Sequence, residues 1–89
     1  MASVKYGSPY HKITKTEYDK FDVDNVRALC RAIVLKYGDD MGFILDDNDE
    51  LSRKLLVLLD GRNAYIVGGT DAPINEDTRI VILPSMCVA

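Results

Sequence analysis

The chain has 89 residues, 47% of them hydrophobic, and carries 11 Lys and Arg against 14 Asp and Glu for a net charge of −3. That length holds one compact domain with an economical core. The acidic balance, with basic residues scattered among acids, argues against nucleic acid as a partner. The longest apolar run, Leu55–Leu59, is a strand's length and far short of a membrane span.

In chain order, Ser3-Val4-Lys5-Tyr6 alternates polar and apolar, which predicts a strand with Val4 and Tyr6 facing inward. Gly7-Ser8-Pro9 punctuates it, and the Thr- and Tyr-rich residues 13–21 predict a second extended piece. Val26, Leu29, Cys30, Ile33, Val34 and Tyr37 then recur at helical spacing, forming one apolar stripe with Arg27, Arg31 and Lys36 off it. Asp24 or Asn25 can cap the start of this helix, and Gly38 suits its end. Residues 39–53 read as an acidic connection with a short helical turn near 49–54. The Asp46, Asp47, Asp49 and Glu50 cluster lacks the glycine and terminal glutamate spacing of a calcium loop, so a solvated loop is expected.

Leu55–Leu59 is the next strand, stopped by the turn signal Asp60-Gly61, and residues 64–67 suit a short edge strand. Residues 68–73 read as loop with Ile74 packed beneath, and residues 79–83 form the last strand, ended by Pro84. The order gives an α+β domain, one main helix on one sheet. One helix covers one face of a sheet, yet the two late strands are apolar at every position, so an uncovered apolar patch is expected, with coverage by residues 39–53 as the alternative. An acidic surface would suit a partner with a basic groove.

From Leu56 onward the residues resemble the MoaD/ThiS family, the small subunit of molybdopterin synthase and the related ubiquitin-like sulfur carriers. Asp60-Gly61-Arg62-Asn63 is similar to the family's Asn-Gly-Arg-Asn turn, Gly69-Thr70-Asp71-Ala72-Pro73-Ile74 to its Gly-Leu-Asp-Thr-Pro-Leu loop, and Ile80-Val81-Ile82-Leu83-Pro84 to its last strand. The resemblance implies a β-grasp (ubiquitin-like) fold, a mixed sheet packed on one main helix, spanning 1–89 with residues 84–89 as a flexible tail. First and last strands would be adjacent and parallel, with Val57, Leu59, Ile80 and Ile82 facing the helix. It also implies a carrier or accessory subunit rather than a catalyst, with no cofactor. Its tail would enter the active site of a partner resembling the large molybdopterin synthase subunit, or be adenylated at a terminal glycine by an ATP-dependent E1-like enzyme. The tail here reads Pro84-Ser85-Met86-Cys87-Val88-Ala89, with Val88-Ala89 where the family ends Gly-Gly. β-branched Val88 is stiff where a narrow channel favours glycine, so poor activation is expected.

The candidate site is therefore the carrier tail Cys87, Val88 and Ala89, with a partner-binding set of Leu56, Leu58, Val81, Leu83, Pro84 and Met86. A homodimer through the same patch is the competing outcome. Cys87 could carry sulfur as a persulfide, but no basic neighbour in sequence lowers its pKa; Cys30 lies on the apolar helix face and reads as core. His11 has no nucleophile or carboxylate at informative spacing, and Asp71 is expected to cap its own loop. With no basic flank followed by an apolar leader, and no metal-ligand spacing between the cysteines, the chain reads as cytoplasmic, with reduced thiols and no bound metal. A β-grasp interaction module that keeps the docking face without the thiocarboxylate chemistry is the second functional expectation.

Overall fold

A computed structural model describes residues 2–8, 10–52 and 54–84. Five strands, β1 (Ala2–Tyr6), β2 (Tyr18–Phe21), β3 (Leu55–Leu59), β4 (Arg62–Asn63) and β5 (Arg79–Pro84), form one sheet in the order β2-β1-β5-β3-β4. β5 runs parallel to β1 and antiparallel to β3; the other pairs are antiparallel. The mixed sheet carries one main helix, α2 (Val26–Tyr37), which is the β-grasp arrangement.

Helix α2 starts where the Asn25 side chain accepts the Ala28 N–H at 2.7 Å, and it ends at Gly38, whose φ of 75° is open to glycine without a Cβ penalty. Its stripe of Val26, Leu29, Cys30 and Ile33 is buried against the odd residues of β3 and the even residues of β1 and β5. Val4, Tyr6, Val57, Leu59, Ile80 and Ile82 thus all face the helix. Asp60 (φ 53°) and Gly61 (φ 84°) both lie in the left-handed region between the paired residues Leu59 and Arg62. This is the two-residue turn whose twist matches the strands it joins.

Four local expectations are corrected. Residues 13 and 14 are not extended but belong to a one-turn helix, α1 (Tyr10–Thr14), with Tyr10 buried 5.3 Å from the Phe43 ring centroid. The Thr14 hydroxyl donates to the Thr16 carbonyl at 2.7 Å, and Lys15 turns at φ 61°, so the strand starts only at Tyr18. The helical turn of the acidic connection is a 3₁₀ helix at Gly38–Ile44, not near 49–54. Its three-residue period sets Met41 and Ile44 on one side, and both join the core with Leu51. Residues 64–67 coil instead of forming an edge strand. The Asn63 carboxamide oxygen accepts the Tyr65 N–H at 3.0 Å, and Ile66 N–H turns back to the Asn63 carbonyl; the edge pairing is Arg62–Asn63. Pro84 is the last residue of β5, paired with Leu55, rather than the first residue of a tail.

Candidate functional site

The sheet has an inner face under α2 and an outer face turned away from it. Side chains alternate along a strand, so the residues between the buried ones of β3 and β5 define the outer face. Leu56 stands directly opposite Leu83, and Leu58 opposite Val81. The four form one contiguous apolar block across two neighbouring strands. Among the described residues of the acidic connection, Met41, Ile44 and Leu51 pack into the same core as α2 and not over this block. Each of the four is half-buried rather than fully exposed, because the block shields its own members and Leu83 lies over Gly7, where an added Cβ would come 2.2 Å from Leu83 Cδ2.

Register extends the outer face into cross-strand rows. The Leu83–Leu56 row borders Pro84, where β5 ends as described. The next row runs Tyr18, Lys5, Val81, Leu58, Asn63, and the third runs Lys20, Ser3, Arg79. Ser3, Lys5, Tyr18, Arg79 and Val81 line a shallow hollow of about 380 Å³. The Tyr18 ring is 62% exposed, with Lys5 Nζ 5.9 Å from its centroid. Sequence reasoning missed Tyr18, Lys5 and Arg79 as members of this face. It also gave no warning of Leu35 and Ile66, which stand 89% and 82% exposed away from the sheet. Met86, Cys87, Val88 and Ala89, the tail part of the expected site, lie outside the described residues.

The helix side is knit by charge. Arg27 donates to Asp71 Oδ1 at 2.9 Å, to the buried Thr70 hydroxyl at 3.0 Å and to Glu50 Oε1 at 3.4 Å, while Thr70 donates to Glu50 Oε2 at 2.7 Å. The Asp71 carboxylate therefore bridges to α2 instead of capping its own loop, because the 3₁₀ turn Gly69–Asp71 brings it beside the guanidinium. Asp49 pairs with Arg31 and Arg27, and Asp46 accepts the Asn48 and Glu50 N–H groups, so Asp46, Asp49 and Glu50 are engaged in internal bonds. At the other end of α2, Asp19 accepts from Lys36 Nζ at 2.8 Å, from Tyr37 and from Tyr6. Burial works to raise the Asp19 pKa, but the bonds from Lys36 and Tyr37 outweigh it and hold the carboxyl below its ordinary value. Burial pushes the Cys30 thiol up to about 12, helped by the Asp49 charge, which leaves it protonated and inert in the core. Among the described residues no three His, Cys, Asp or Glu side chains gather to hold a metal ion, and no helix is long and apolar enough to cross a membrane.

No protein-family model matches the sequence, and no curated protein does. Solved structures match by fold. A chain of the Amycolatopsis orientalis BexX/CysO complex superposes with a TM-score of 0.85 at 14% identity, covering 96% of both chains. The small archaeal modifier protein 1 from Methanosarcina acetivorans gives 0.82 at 20% identity, covering 93% of this chain and 90% of its own. A putative molybdopterin converting factor subunit 1 from Pyrococcus furiosus gives 0.73 at 15%, covering 93% and 94%. At such identities the likeness speaks for the fold, since one fold hosts many functions. The chain has the ubiquitin-like β-grasp fold that the MoaD/ThiS resemblance implies.

Proposed function

We propose that the chain is a ubiquitin-like sulfur carrier of the MoaD/ThiS kind, serving as the small subunit of a molybdopterin-synthase-type complex in the cytoplasm. The observation that carries this reading is the apolar block of Leu56, Leu58, Val81 and Leu83, left uncovered by the described residues, which runs to Pro84, the last residue of β5. A carrier needs both parts in that order: a face that docks on a partner protein, and an extended tail that follows from it. Two fold neighbours carry names of this type, a modifier protein and a converting-factor subunit, and another was solved in a complex. In this role the chain is itself a substrate and accessory subunit, not a catalyst. The tail carboxylate attacks the α-phosphorus of ATP and releases pyrophosphate; hydrosulfide then attacks the acyl carbon and displaces AMP to leave a thiocarboxylate.

The second reading, an interaction module without that chemistry, is favoured by Val88 and Ala89 at the two glycine positions of the carrier motif. One assay separates the two. The natural chain and a Val88→Gly, Ala89→Gly variant are incubated with a MoaD-type adenylating enzyme and ATP, and adenylate and terminal sulfur are read by mass spectrometry. The carrier reading expects the natural chain to be adenylated, more slowly than the glycine variant. Adenylate from the variant alone favours the module. Failure of both chains to bind or react removes the carrier reading.

A further inference from the structure

The outer face is electrically opposite to the rest of the molecule. The chain as a whole is acidic, at −3, yet Lys5, Lys20 and Arg79 all stand on this face, exposed and side by side in two rows across β2, β1 and β5. Among the described residues none of the three is in an ion pair; the pairs involve Arg27, Arg31 and Lys36 on the helix side. Asp60 is the acid at the end of the third row, and its Oδ1 accepts the backbone N–H of Arg79 at 2.9 Å. The acids of residues 39–50 lie in the connection that packs with α2. Within these rows three cations stand against one engaged carboxylate.

The positive charge is not spread evenly over the face. Going along β5 from Pro84, the first row is apolar (Leu83, Leu56), the second mixed (Tyr18, Lys5, Val81, Leu58) and the third basic (Lys20, Arg79). The basic row lies about 13 Å from the apolar one, at about 3.3 Å per residue of strand. Lys5 and Arg79 share the hollow with the exposed Tyr18 ring, so a partner side chain seated there meets two cations and an aromatic edge.

We infer that this face docks on a protein surface that is apolar beside the tail's entry and carries Asp or Glu side chains opposite Lys5, Lys20 and Arg79. This rests on the docking reading above and differs from the basic groove that net charge suggests: the rows of the docking face carry the opposite sign to the chain. The Leu and Val block favours a protein over a nucleic acid, which offers phosphates but little apolar area to bury. Opposed charges at the rim set orientation and speed encounter, and screening by salt is their mark.

The test uses the full chain titrated against the MoaD-type adenylating enzyme at about 50 and about 500 mM NaCl, roughly a threefold change in screening length. Lys5→Glu with Arg79→Glu is expected to weaken binding at least tenfold at low salt, with the difference shrinking at high salt. Lys5→Gln with Arg79→Gln should give a smaller loss, and Lys12→Glu with Lys15→Glu, the same charge change outside these rows, should give none. Melting curves like the natural chain's keep the comparison one of binding, as the substituted side chains are exposed. Loss of binding with Leu58→Asp but not with the charge reversals overturns the acidic-partner inference and leaves the docking reading standing. Indifference to Leu58→Asp as well, or no binding by the natural chain, removes both. Two further results also overturn it: saturable binding of an RNA oligonucleotide lost with the reversals, or a homodimer in sedimentation that the reversals break.

Discussion

Asp19 faces burial and three side-chain hydrogen-bond donors at once, and its titration has a definite sign. Its folded pKa lies below the ordinary 3.8, so the unfolded chain binds the proton more readily, and the stability it contributes is present above that value and lost as pH falls through the folded pKa. Burial, then the Asp19 charge, raise the Tyr6 pKa above the ordinary 10.0, so the contribution of the neutral phenol is present below that value and lost as pH rises. Denaturant midpoints measured across pH should therefore show a flatter acid arm for Asp19→Asn and a flatter alkaline arm for Tyr6→Phe. Unchanged arms would mean the cluster is not coupled to folding. None of this was legible in sequence, where Asp19 is one acid among 14; its partners come from β1 and α2, and only the packed fold brings them together. Arg27 is similar: its place off the apolar stripe was readable, its grip on Glu50, Thr70 and Asp71 was not.

At the level of elements, legibility followed the strength of local signals. The α2 stripe, its capped start at Asp24 or Asn25, the Asp60-Gly61 turn and the inward parity of β1 were readable, because period and turn chemistry act within a few residues; the parity of β3 and β5, apolar at every position, came from the family resemblance. Where Thr14 and Asn63 side chains bond nearby backbone and coil the chain, composition misled: α1 and the turn after β4 carry strand-like residues. The 3₁₀ helix was hidden because its two buried residues, Met41 and Ile44, sit among two aspartates and two glycines. The inner parity has a thermodynamic test. Val57→Ala and Ile80→Ala each remove methyl groups from fully packed positions and should cost about 1–4 kcal/mol, a large share of a small domain's stability. Melting of both like the natural chain would refute the assignment of faces.

Among the described residues the sheet is two-sided: one face is sealed by α2 and the 3₁₀ helix, the other is left bare, apolar towards Pro84 and basic away from it. The apolar block was legible from alternation once the family resemblance supplied the inward set, whereas the cations depend on how strands far apart in sequence align, which no local pattern records. Leu58→Asp should leave the melting temperature close to that of the natural chain while abolishing partner binding; unfolding of this variant would show the face to be buried within the monomer. The strand order has a consequence for biosynthesis as well. β5, made last of the described elements, lies between β1 and β3, while β2 pairs only with β1, and β4 only with β3. Until β5 leaves the ribosome the nascent chain holds two separate hairpins with no sheet to join them, so the domain folds late and all at once rather than from its N-terminus forward. Stalled chains ending before Arg79 should be digested rapidly by protease, and chains extended far enough to expose Pro84 beyond the exit tunnel should resist it.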